Sequence, residues 1–139
     1  MELLIKEEHK NFRTPVRGTV GSAGFDCFVA DYFLRDNCIW YNLGFSLELP
    51  VGYFALLTSR SSVISTGGMQ ANCVGVIDSD FRGVWHYVFR PLTNTKEMPY
   101  SIGDRCCQFI VLPALDISFI EVTNLDSTAR KGGFGSTGT

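Results

Sequence analysis

Apolar positions along the chain recur with a period of two rather than 3.6, so strands are expected almost throughout. Leu3-Leu4-Ile5 opens as a short strand, and Phe25-Asp26-Cys27-Phe28-Val29-Ala30 reads as a strand with mixed faces. Ile39 to Leu49 alternates cleanly from Leu43 on, which places Leu43, Phe45, Leu47 and Leu49 on one face. Pro50-Val51-Gly52 turns the chain, and Tyr53-Phe54-Ala55-Leu56-Leu57 is expected to return as the hairpin partner. Further strands are predicted over Ala71–Ile77, Val84–Phe89 and Cys106–Leu112, with Ile117–Val122 as a short last one. Arg60 to Thr66 is the one place for a short helix, ended by Gly67-Gly68, although Ser, Val, Ile and Thr are poor formers. Short strands rich in aromatic and β-branched residues, spaced by Gly, Pro and Asn, predict a compact all-β sandwich or barrel. No internal repeat, linker or second domain is visible.

Bulk properties narrow the picture. A chain of 139 residues is one domain's worth and buries a core without staples. Its net charge of -2 opposes a general nucleic-acid binder, which would be clearly basic. No apolar run approaches a membrane span, and Glu2, Lys6, Glu7 and Glu8 interrupt the N-terminus too early for a signal peptide. The five cysteines are odd in number and form no C-x-x-C pair, so neither a disulfide framework nor a zinc site is signalled. Buried thiols in a reducing intracellular compartment, cytoplasm or nucleus, are the expectation.

The chemistry concentrates in a few stretches. Gly75-Val76-Ile77-Asp78-Ser79-Asp80-Phe81-Arg82-Gly83 reads as a strand running into a turn, with glycines that permit close approach of a ligand to the backbone. On a strand Asp78 and Asp80 would share a face, either as a solvated turn or as a general base with a metal-associated partner. Arg60-Ser61-Ser62 is either a helix start or an anion site. Gln108, among Cys106, Cys107, Phe109 and Ile110, needs partners and belongs to the outer face or to a site. Gly103-Asp104-Arg105 is nominally a turn. His86 is expected as a strand surface residue, and no catalytic order of Ser, His and Asp is visible. The tail Arg130-Lys131-Gly132-Gly133-Phe134-Gly135-Ser136-Thr137-Gly138-Thr139 lacks the P-loop pattern. Composition alone favours a disordered terminus over a phosphate-binding lid.

Five blocks in order nevertheless identify a resemblance. Gly21-Ser22-Ala23-Gly24-Phe25-Asp26, Arg60-Ser61-Ser62, Asn72 to Gly83, Gly103-Asp104-Arg105-Cys106-Cys107-Gln108 and Gly132 to Gly138 together make the chain similar to the homotrimeric all-β dUTPases over nearly its whole length. The resemblance implies a distorted jelly-roll or barrel-like β domain over 1–129, with at most one short helix and a flexible glycine-rich arm over 130–139. It implies hydrolysis of dUTP to dUMP and pyrophosphate with Mg2+, which limits uracil incorporation into DNA and supplies dUMP for dTMP synthesis. Asp78 would be the general base for the water attacking the α-phosphorus, and Asp26 would lie near the waters of a Mg2+ held mainly by the triphosphate. Arg60, Ser61, Ser62 and Gln108 would hold the phosphates. The backbone of Gly75, Val76 and Ile77, with Asn72 at its neck, would read uracil, and Phe81 would pack on the deoxyribose. Phe134 would stack on the base, Arg130 would reach the phosphates, and Gly135, Ser136 and Thr137 would close over the γ-phosphate, from an arm exchanged between the subunits of a homotrimer. Neither nucleic acid nor membrane is an expected partner.

The chain departs from the family pattern in four places. Phe81 stands for the usual tyrosine, and Ser59 for the proline that commonly precedes Arg60. Ser65 and Thr66 lie where a lysine is usual. One spacer residue, Lys131, separates Arg130 from the glycines instead of two, which shortens the arm's reach by up to about 3.5 Å. The alternatives are a non-catalytic nucleotide-responsive binding module on the same fold, and a dCTP deaminase on a related one.

Overall fold

The computed structural model describes residues 1–92, 98–130 and 132. Its strands are β1 (Leu4–Glu7), β2 (Phe25–Phe28), β3 (Asp31–Arg35), β4 (Cys38–Asn42), β5 (Phe45–Glu48), β6 (Tyr53–Ser59), β7 (Gly68–Gln70), β8 (Gly75–Ile77), β9 (His86–Pro91) and β10 (Arg105–Pro113). The one helical element among the described residues is a 3-10 turn over Ser61–Ser65, inside the predicted Arg60–Thr66 stretch. The strands form three open antiparallel sheets, ordered β2-β10-β6-β8, β3-β4-β9-β7 and β1-β5. The all-β expectation holds.

Aromatic side chains fill the space between the sheets. Trp85, Tyr41, Tyr87, Phe45 and Phe89 are fully buried, and Trp85 meets Phe109 edge-on at 5.2 Å between ring centroids. Leu43, Phe45, Leu47 and Leu49 are all buried, as their alternation required. They do not belong to one strand, however. Gly44 has φ +78, and a β-carbon on it would meet that of Ala30 at 2.7 Å. Only glycine fits there, so β4 and β5 part into different sheets.

Several other expectations are corrected. β6 does not pair with the strand before it; its partners are β10 and β8, while β5 pairs with β1. The Pro50-Val51-Gly52 turn is present, with Tyr53 N donating to Pro50 O at 3.1 Å, but it carries the chain to a new sheet. β6 is central, and a seven-residue ladder with β10 outweighs a local hairpin. Of the predicted Ala71–Ile77 strand only Gly75–Ile77 is extended, as β8; residues 71–74 form a turn with Cys73 at φ +59, and β7 lies before the range. Ile117–Val122 forms no strand, and Ile117, Phe119, Ile120 and Val122 are exposed. β3 went unpredicted, since its Tyr32-Phe33-Leu34 run shows no alternation. It pairs with β4 through Asp36 and Asn37, both at positive φ, the backbone a tight hairpin turn demands.

Candidate active site

Two groups of functional side chains lie on the β2-β10-β6-β8 sheet. The first gathers where β2, β6 and β10 meet. Asp26, on β2, is buried, and its two carboxylate oxygens are both used. Oδ1 accepts from Arg60 Nε at 3.0 Å and Oδ2 from Arg105 Nη1 at 3.2 Å. Arg60 Nη1 also donates to the Arg105 carbonyl at 3.3 Å. A carboxylate shared between two guanidiniums holds both side chains while leaving a net positive corner, which suits an anionic ligand. Arg60 caps the 3-10 turn in extended conformation, so Ser61 and Ser62 begin that turn beside it, exposed.

Gln108 joins this corner. It is opposite Asp26 on one side and Thr58 on the other. Its Nε2 donates to Ser59 O at 3.1 Å, leaving Oε1 turned toward Gly24, where a β-carbon would lie only 2.5 Å away. The sequence left Gln108 open between outer face and site; in the structure it stands beside Asp26 and Ser59. Ser59 is held in turn by Tyr87, whose hydroxyl lies 2.9 Å from Ser59 Oγ. Burial pushes that phenol above its ordinary range.

The second group surrounds β8. β8 ends its sheet, so its outer backbone groups face no further strand among the described residues. Gly75 is buried opposite Leu57, and Val76 and Ile77 follow it along β6. Asp78 lies just past the strand, not on it, so Asp78 and Asp80 sit in a turn rather than sharing a strand face. The Asp78 carbonyl accepts from Phe81 N at 3.2 Å. Its side chain is exposed and enters no ion pair among the described residues. The Phe81 ring covers Gly83, where a β-carbon would meet Phe81 Cζ at 2.6 Å. Arg82 braces the turn by donating to the carbonyls of Ser79 at 2.6 Å and Phe81 at 3.2 Å.

Asn72 precedes β8 and is exposed; its Oδ1 accepts from Gln70 Nε2 at 3.1 Å. Sequence reasoning missed Gln70, a buried glutamine at the end of β7, two positions before Asn72. Arg130 is exposed and bonds Gly132 O at 3.2 Å. Lys131, Phe134, Gly135, Ser136 and Thr137 lie outside the described residues. His86 stands on β9, half-buried against Phe33 and Trp40, as a sheet residue.

No cluster of three metal-ligating side chains exists among the described residues. With both Asp26 oxygens engaged by arginine, this donor set fits an ion that arrives on a polyphosphate better than one held by the protein alone. All five cysteines are free. Four are buried as expected, and Cys73 is exposed. No described helix is long and apolar enough to cross a membrane.

Known proteins resemble this chain in sequence and fold. The family model for dUTPase matches residues 10–138. A deoxyuridine 5'-triphosphate nucleotidohydrolase of Anaplasma marginale is 42% identical, covering 90% of this chain and 88% of its own. One of Hydrogenobaculum sp. is 34% identical over 99% of both chains, and one of Paramecium bursaria Chlorella virus 1 is 36% identical over 98% and 97%. The fold superimposes on a Staphylococcus bacteriophage 80alpha dUTPase solved with dUpNHpp, at TM-score 0.85, 24% identity and 99% coverage of both chains. By family model and by full-length relatives, this chain belongs to the dUTPase family.

Proposed function

We propose that the protein hydrolyses dUTP to dUMP and pyrophosphate. Asp78 carries this reading: an exposed carboxylate outside any ion pair, placed where an open sheet edge ends. As an acceptor-only group it is suited to orient a water and take its proton. The β8 edge offers backbone donors and acceptors for a flat base. Asn72 stands at its neck and Phe81 lies where a sugar would follow. Arg60, Ser61, Ser62 and Gln108 hold the phosphates, and Asp26 sets Arg60. Mg2+ accompanies the triphosphate and neutralises its charge, near Asp26 through water.

The two groups are halves of different sites. Ile77, next to Asp78, is opposite Ala55, whereas Arg60 follows the far end of β6. From Ala55 to Arg60 the strand advances about 16 Å at ~3.3 Å per residue. That separation supports a site in which the hairpin of one subunit works with the phosphate corner of another. A homotrimer supplies this arrangement. Leu115, Ile117, Phe119, Ile120, Val122 and Leu125 form an exposed apolar strip that a neighbouring copy would cover. The strip leads into the 130–139 arm, which closes over the nucleotide with Arg130, Phe134, Gly135, Ser136 and Thr137, as a separate unit from the β domain of 1–129.

The test is pyrophosphate release from dUTP with Mg2+. Asp78→Asn is expected to abolish turnover, by at least about a thousandfold if it removes both base and charge, while dUTP still binds. Turnover near that of the wild type would remove Asp78 from this role.

A further inference from the structure

Gln70 ends β7, in the sheet opposite the hairpin, yet its side chain crosses to β6. It is 3% exposed. Its Nε2 donates to the Leu57 carbonyl at 2.9 Å and to Asn72 Oδ1 at 3.1 Å. Its Oε1 is buried and has no hydrogen-bond partner among the described residues. An orphaned buried acceptor costs about 1–3 kcal/mol, and an apolar side chain would fill this position without that cost. The polar choice therefore calls for a role.

The bonds fix a direction. A backbone carbonyl only accepts, so Leu57 O selects the N–H2 side of the Gln70 amide. The second N–H of the same nitrogen then selects the oxygen side of Asn72; the reverse orientation would set N–H against N–H. Asn72 is left with its own N–H2 turned away from Gln70. That nitrogen faces β8: a β-carbon on Gly75 would lie 3.5 Å from Asn72 Nδ2. The polarity of the slot at Asn72 is thus set from the β6 backbone through Gln70.

We propose that Gln70 is a positioning residue for base selection: it holds the Asn72 amide with its donor toward the base, which favours a ring carbonyl over a ring amine. This rests on the dUTP reading of the hairpin and adds the group that gives Asn72 its sense. A donor facing a carbonyl is satisfied, whereas a donor facing an amine leaves both groups unpaired, the strong form of discrimination.

The test measures binding of dUpNHpp and its cytosine counterpart by calorimetry, with kcat for pyrophosphate release measured separately. Gln70→Leu is expected to weaken dUpNHpp binding about tenfold, the equivalent of ~1.4 kcal/mol, with a matching fall in preference over the cytosine nucleotide and kcat within about twofold. Asn72→Ala should weaken dUpNHpp binding and uracil preference at least as much, and the double variant should bind no more weakly than Asn72→Ala, because Gln70 acts through Asn72. Asn72→Asp keeps an oxygen for Gln70 but turns an acceptor to the base. It should lose the uracil preference, and it scores the proposal even if Gln70→Leu fails to fold. Wild-type affinity and preference in Gln70→Leu, additive losses in the double variant, or retained uracil preference in Asn72→Asp would each overturn it. A wild-type chain that binds dUpNHpp but releases no pyrophosphate from dUTP would remove the hydrolysis reading and leave this one to be scored by binding.

Discussion

The two ends of β6 are built on opposite plans. At the Arg60 end every charge is committed. Asp26 ties two arginines, one of which also holds the other's carbonyl, and Gln108 is locked to Ser59. Toward Ala55, β8 ends in a turn braced by Arg82, with Asp78 exposed and outside any ion pair among the described residues. A phosphate subsite needs positive charge fixed before the ligand arrives, since reorganising charge during the reaction is costly. A general base needs the reverse, a carboxylate whose lone pairs are not taken by arginine. The sheet separates the two groups along one strand, and in the proposed reading two chains meet to join them.

The larger way to break this contrast is at its tied end. Asp26→Asn removes the charge that holds Arg60 and Arg105 together. Dissociation of dUpNHpp is expected to rise about tenfold to a hundredfold. Urea unfolding should show a loss of about 1–3 kcal/mol, moderated because Arg105 is about half exposed. An unchanged affinity would mean that Asp26 does not set the corner. A finer probe is Gly24→Ala. The new methyl group would sit 2.5 Å from the present Gln108 Oε1, so the flexible glutamine must swing away. The expected outcome is a severalfold drop in kcat, with the unfolding midpoint shifted by less than about 1 kcal/mol. Wild-type kcat would show that Gln108 is not needed where it stands.

Much of this was legible in the sequence, and the limits have physical causes. Leu43, Phe45, Leu47 and Leu49 announced a buried face because strand periodicity is local. The break at Gly44 was hidden, since it depends on Ala30, fourteen positions away in sequence and in contact only after folding. Partner choice for β6 failed for the same reason: pairing with β10 joins residues 48 to 60 positions apart, and proximity in sequence argued for β5. β3 escaped because an exposed edge strand has no buried face to write an alternation. The blocks around Asp78, Phe81, Arg60 and Gln108 stood out by residue type and order. Gln70 did not, because its meaning lies in a carbonyl on a neighbouring strand. Nor did the distance along β6 between Asp78 and Arg60, which only the register discloses.

That distance is the centre of the mechanism, and mixing two inactive chains tests it most directly. Asp78→Asn keeps an intact phosphate corner, and Arg60→Ala keeps an intact hairpin. Each alone should release almost no pyrophosphate from dUTP. Refolded together at equal amounts, they should recover about a quarter of wild-type activity, the statistical share of sites that pair one intact hairpin with one intact corner in a closed ring. A mixture that stays as inactive as its components, with mixed assemblies shown to form, would contradict a site divided between chains.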